Sequence, residues 1–240
     1  MLTSLPKHDF AKAIKKVVSP VATVNDDCDL MPSGFRFPDE AQLGKTESFL
    51  SDIQRRELKS WWLAENPEKT RLPNWDIIIK CLIKDKQGLI LVEGKSHEDE
   101  FKVKNDNCNS ESLKNRNKIA EQIKTISELL NNNAGTKFSG WALSHRDCYQ
   151  LSNRFAWAWK VASFGIPVVL IYLGFLNAEE MENGNRVVLK SDEQWQRCVR
   201  SRSAGIIPPE AWDGKIMVEN TPIFPIIRSL DVNICASSHR

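Results

Sequence analysis

An apolar run that ends on a charged triplet, Leu89-Ile90-Leu91-Val92-Glu93-Gly94-Lys95, constrains this chain more than any other stretch. Its length and β-branched content predict a buried strand, and the alternation of side chains along a strand puts Glu93 and Lys95 on one face. Upstream, Pro73-Asn74-Trp75-Asp76 opens a second apolar run, Ile77-Ile78-Ile79. Asp85-Lys86-Gln87-Gly88 supplies turn residues between the two. The expected hairpin lays the start of one strand beside the end of the other. A turn centred on Asp85 to Gly88 would set Asp76 opposite the residues after Lys95, so a bend or bulge is expected to bring Asp76 back to Glu93.

Two carboxylates and an ammonium gathered at one sheet end are the groups needed to hold a divalent cation and activate water beside a phosphate. The alternative for Glu93 and Lys95 is an ion pair where the strand emerges into solvent, and for Asp76 a loop-capping role. The triplet alone carries little weight, because Glu57-Leu58-Lys59, Glu100-Phe101-Lys102 and Asp213-Gly214-Lys215 share its form in a chain with 27% charged residues. The copy at Glu93 is distinguished by the apolar strand before it and the acidic strand-opener upstream.

Pro73, Asp76, Glu93 and Lys95 together make the chain resemble the PD-(D/E)XK nuclease superfamily, in which an acidic residue precedes one strand and Glu-x-Lys or Asp-x-Lys closes the next. Two residues separate Pro73 from Asp76 here, where the family pattern has the pair adjacent. The resemblance spans roughly residues 46–176 and implies an α/β fold, a mixed central β-sheet flanked by helices in a restriction-endonuclease-like core. It implies a metal-dependent nuclease that hydrolyses nucleic-acid phosphodiester bonds, with DNA the expected polymer. Asp76 and Glu93 would ligate Mg2+ or Mn2+, and Lys95 would help activate water and offset charge in the transition state. Such nucleases often add a glutamate from the preceding helix, for which Glu47 and Glu57 are the available positions; a solvated helix face is the alternative for both.

His97 follows Lys95 by two and shares its face if the strand continues, where it would bind phosphate or relay a proton; otherwise it sits exposed at the strand end. Gln150, Asn153 and Arg154 stack three polar side chains on one face of a helix otherwise filled by Phe155, Trp157 and Trp159. A polar stripe on a buried helix requires internal partners or a ligand, and both readings stay open. The eight tryptophans are expected chiefly in the core.

The 240 residues divide into an N-terminal arm over 1–45, a nuclease-like α/β core over 46–176 and a C-terminal elaboration packed on that core over 177–240. Within the core the predicted order is helix (46–63), hairpin, helix (to Asn131), short strand (138–143), helix (149–164) and buried strand (168–175). A net charge of +2 gives no overall basic signature, so a polyanion site must be local; Arg197, Arg200 and Arg202 mark one basic stretch, with a solvated helix face as the alternative. Six scattered cysteines without a Cys-x-x-Cys pair argue against a zinc ribbon and a disulfide framework and suit reduced thiols; His145 and Cys148 find no second ligand pair. The N-terminus lacks an apolar signal region, and the most hydrophobic stretch, Phe164 to Leu176, is too short to span a bilayer. A cytoplasmic protein without a membrane partner is expected; oligomeric state is unreadable. The alternative function is a non-catalytic nucleic-acid-binding or protein-interaction protein on the same fold.

Overall fold

A computed structural model of the chain describes residues 7–32, 40–65, 70, 72–100, 108, 112–132, 138–179 and 187–231. It is an α/β fold built on one six-stranded mixed sheet. The strands are β1 (Leu30–Met31), β2 (Ile77–Ile83), β3 (Lys86–Lys95), β4 (Val168–Leu176), β5 (Ile216–Val218) and β6 (Thr221–Asp231). Their order across the sheet is β1-β2-β3-β4-β6-β5; β3, β4 and β6 run parallel, and the remaining pairs are antiparallel. Parallel neighbours require long crossovers, supplied by helices α3 (Leu113–Asn132) and α4 (Tyr149–Ser163) between β3 and β4, and α5 (Asp192–Ser203) between β4 and β6. Helix α1 (Lys7–Val18) buries Ile14 and Val18 on one face with Ile79, Ile90, Val92 and Ile171. Helices α2 (Asp52–Trp62) to α5 cover the other, where Ile78, Leu91, Leu170 and Tyr172 meet Trp62, Ile123, Trp157 and Trp195. With helices on both faces, the central strands read as unbroken apolar runs because both sides of each are buried.

The hairpin turn falls at Lys84 and Asp85, both with positive φ (47° and 65°), and not at Asp85 to Gly88. Two consecutive left-handed residues make the tight turn whose twist matches paired strands. Gly88 is needed for a different reason: a Cβ there would stand 2.7 Å from the Pro167 carbonyl oxygen, so the glycine admits the chain entering β4. The earlier turn sets the register, Ile77 opposite Val92 and Ile83 opposite Lys86, without interruption. The ladder ends at Ile77, and Asp76 lies just outside it in a bend, its carboxylate reaching the Gly94 N–H beside Glu93.

Other local expectations are also corrected. Helix α2 begins after Ser51, whose side chain and that of Gln54 form a reciprocal capping box. Thr46 and Ser48 precede it, in turns that Arg55 ties down through the Glu47 and Leu50 carbonyls. Residues 138–143 form no strand: Asn131 and Ser127 of α3 take their backbone groups at Gly140, Trp141 and Leu143, while Ala142 donates to the Ile206 carbonyl. Side chains thus satisfy the amides that a ladder would otherwise occupy. The C-terminal region contributes β6 at the heart of the sheet, beside β4. No described helix is long and apolar enough to cross a membrane.

Candidate active site

Glu93 and Lys95 share the face of β3 covered by α2 to α5, and Asp76, in the bend before β2, lies within electrostatic reach of Glu93, Lys95 and Arg154. Glu93 is 1% exposed. A carboxylate so far from water must be neutralised and fully hydrogen-bonded. Lys95 Nζ reaches its Oε1 at 2.5 Å and Gln150 Nε2 reaches the same oxygen at 2.6 Å. Arg154 holds Oε2 through Nε and Nη2, each at 2.6 Å. Burial pushes the Glu93 carboxyl up, but Arg154 and Lys95 outweigh it and hold it below the ordinary carboxylate range. Conversely, burial pulls the Arg154 guanidinium down, and Glu93 more than restores it.

Asp76 sits in a different electrostatic setting. Its Oδ2 accepts the Gly94 N–H at 2.7 Å, yet burial, and then the neighbouring Glu93 charge, push its carboxyl up to about 6. Arg154 joins this strand-opener to the rest: Nη2 also donates to the Asn74 carbonyl at 2.7 Å, and the guanidinium lies 4.6 Å from the centre of the Trp75 ring. One helical side chain thereby grips the end of β3 and the entry to β2.

The remaining expected residues divide. Gln150 and Arg154 converge on Glu93, as the polar stripe suggested. Asn153, on the same helix, is buried, with its Oδ1 lacking a hydrogen-bond partner among the described residues. His97 is buried, and its backbone bridges Val188 after β3 has ended at Lys95 and Ser96 has bent the chain. Glu57 is in α2 but pairs with Lys160 at 2.6 Å. Lys160 stands six residues beyond Arg154 on α4, about 9 Å of helix rise away from the cluster. Glu47 is exposed in the turns before α2. Sequence reasoning missed the Asn74 carbonyl, the Trp75 ring and Tyr172. Tyr172 is fully buried in β4, in register with Glu93. Its hydroxyl in an apolar run was the one visible signal, and the others depend on how α4 crosses the hairpin.

Among the described residues no group of three or more His, Cys, Asp or Glu side chains stands together as a metal cluster, so the donor set is the Asp76 and Glu93 pair. Asp76 and Glu93 are the carboxylates that would hold a divalent cation. The raised Asp76 carboxyl marks a spot where further positive charge is favourable, and with Oδ2 engaged by Gly94, Oδ1 is the oxygen that would face the ion. Glu93 would join by exchanging a donor: Lys95, Gln150 and Arg154 Nε already donate to three of the about four lone-pair positions of its carboxylate, with Arg154 Nη2 in ion-pair contact. Gln150 and Lys95, both on Oε1, are the exchangeable ones, because Arg154 is anchored separately at Asn74 and Trp75. No family model matches the chain, and neither a curated protein nor a solved structure matches it.

Proposed function

We propose that the protein is a metal-dependent nuclease of PD-(D/E)XK type, hydrolysing nucleic-acid phosphodiester bonds, with DNA favoured by the family resemblance alone. The observation that supports this most is that Asp76, bonded to the Gly94 N–H, lies beside buried Glu93, with Lys95 paired to Glu93 on the same face of β3. Asp76 and Glu93 would hold Mg2+ or Mn2+, which when bound lowers the pKa of coordinated water and polarises the phosphate. Arg154 fixes the Glu93 carboxylate and the Asp76 entry in relation to each other. Lys95, released from Glu93 Oε1, offers a compact ammonium for charge building on the phosphate oxygens. Gln150 keeps that oxygen oriented meanwhile.

A second reading also has an observation behind it. Glu93 is fully paired by three residues, which is what a purely structural ion network needs, and a non-catalytic nucleic-acid-binding or protein-interaction protein would keep it. A cleavage assay on single-stranded, duplex and branched DNA and RNA, with and without Mg2+ or Mn2+, separates the two. The nuclease reading expects metal-dependent cutting that Asp76→Asn abolishes in a folded protein. Absence of cutting on every substrate, or cutting equal in Asp76→Asn, favours the structural network.

A further inference from the structure

On the opposite face of the sheet, away from the proposed nuclease site, the edge where β1 meets β2 brings two thiols together. Leu30 lies opposite Ile79, and Lys80 N–H donates to the Asp29 carbonyl at 2.9 Å, which extends the same register by one residue. Cys28, the next residue outward, therefore meets Cys81. Beyond it the register breaks, because Thr23 and Leu82 exchange two backbone bonds of 2.8 Å. Residues 24–28 arch over Cys81 alone, and Cys28 N–H closes the arch on the Asn25 carbonyl at 3.1 Å. Both cysteines contact the α1-side core, and both line an open groove of about 300 Å³ with Asn25, Asp27 and Gln87. Neither is in a disulfide. Their closeness is also visible in the Cys81 thiol, pushed up to about 12 by burial and then by Cys28.

We propose that Cys28 and Cys81 form a reversible disulfide in response to peroxide, fastening the N-terminal segment that carries α1 and β1 to the sheet. Directly opposed antiparallel residues have Cα atoms about 4.5 to 5.5 Å apart, within the roughly 4.4 to 6.8 Å that a disulfide spans. Cys28 is half-buried and reachable from the groove, whereas Cys81 is buried, so Cys28 reacts first. The Cys28 thiol gives up its proton, its sulfur attacks one peroxide oxygen, the O–O bond breaks to leave a sulfenic acid, and the departing hydroxide takes up that proton as water. The Cys81 sulfur then attacks the Cys28 sulfur; the S–S bond forms as the S–O bond breaks, and the Cys81 proton leaves with the hydroxide as a second water. The peroxide takes two electrons, one from each thiol. Cys108, Cys148 and Cys198 are buried thiols on the other side of the sheet and serve as internal controls.

The test treats the full chain with hydrogen peroxide, alkylates the remaining thiols and maps the linkages by peptide mass spectrometry, before and after dithiothreitol. The expected result is a Cys28 to Cys81 link within one chain, reversed by the reductant, with Cys108, Cys148 and Cys198 still alkylated. In Cys28→Ser, Cys81 should remain alkylatable after the same treatment. The oxidised parent should melt several degrees above the reduced parent, and Cys28→Ser should show no such rise. Cys28 carried on to sulfinic acid with Cys81 alkylated, or a link only between chains, overturns the disulfide. A link that forms without raising the melting temperature overturns the fastening.

Discussion

Arg154 binds Glu93 Oε2 through both Nε and Nη2 at 2.6 Å while the same Nη2 donates to the Asn74 carbonyl at 2.7 Å, so one guanidinium joins the end of β3 to the entry of β2. A lysine cannot reproduce this planar fork or its stacking on Trp75. Arg154→Lys is expected to lose about 2 kcal/mol of stability in urea denaturation. It should also speed exchange of the Gly94 amide hydrogen, which Asp76 accepts when correctly placed. Parent-like stability and exchange in this variant would show that the guanidinium is not the clamp.

Glu93→Gln keeps the shape but leaves the buried Arg154 and Lys95 charges without their carboxylate. Its position at a strand end suggests an easily tolerated change, whereas the burial of all three side chains indicates a loss of about 3 kcal/mol. Chemical denaturation at neutral pH measures this. Cleavage, if the nuclease reading holds, should disappear together with tight divalent-ion binding. An unchanged midpoint would mean that water reaches the cluster.

Lys95→Ala separates chemistry from folding. Glu93 retains Arg154 and Gln150 after the change, so the fold should persist. Turnover with Mg2+ should fall by ~100-fold or more, because the lost ammonium acts on the transition state. Divalent-ion binding, followed by calorimetry, should stay close to that of the parent or strengthen as Glu93 Oε1 loses a competing donor. Parental turnover would remove Lys95 from the mechanism.

Asp76 makes stability depend on pH in an unusual direction. Its carboxyl is raised from 3.8 to about 6 by burial and then by Glu93, so the folded state holds the proton more tightly than the unfolded chain. This group adds no cost below pH 3.8; its ionisation penalty grows as pH rises towards 6 and is complete above that. Glu93, held low, acts the other way, and its contribution is lost on acidification. Asp76→Asn should therefore be more stable than the parent at pH 7.5, with the gap closing towards pH 4. Paired thermal melts across that range provide the check, and a gap that widens on acidification would contradict it.

The alternation in Leu89 to Lys95 was enough to place Glu93 and Lys95 on one face, because strand geometry leaves no other choice once the run is a strand. Periodicity likewise located α3, α4 and β4, whose buried faces are written as apolar stripes. The polar stripe on α4 declared that Gln150 and Arg154 needed partners without saying which. Register was different: it hung on whether the turn used Gly88 or the pair Lys84 and Asp85, and backbone twist together with the approach of Pro167 decided it. Asp76 came next to Gly94 and Glu93 through that choice and the bend before β2. The place of β6 beside β4, the pairing of Glu57 with Lys160 and the bridge of His97 to Val188 also depended on how distant segments pack. Local composition determines which face of an element is apolar. Which element covers that face is settled by contacts between residues far apart in the chain, and these leave no periodic trace in it.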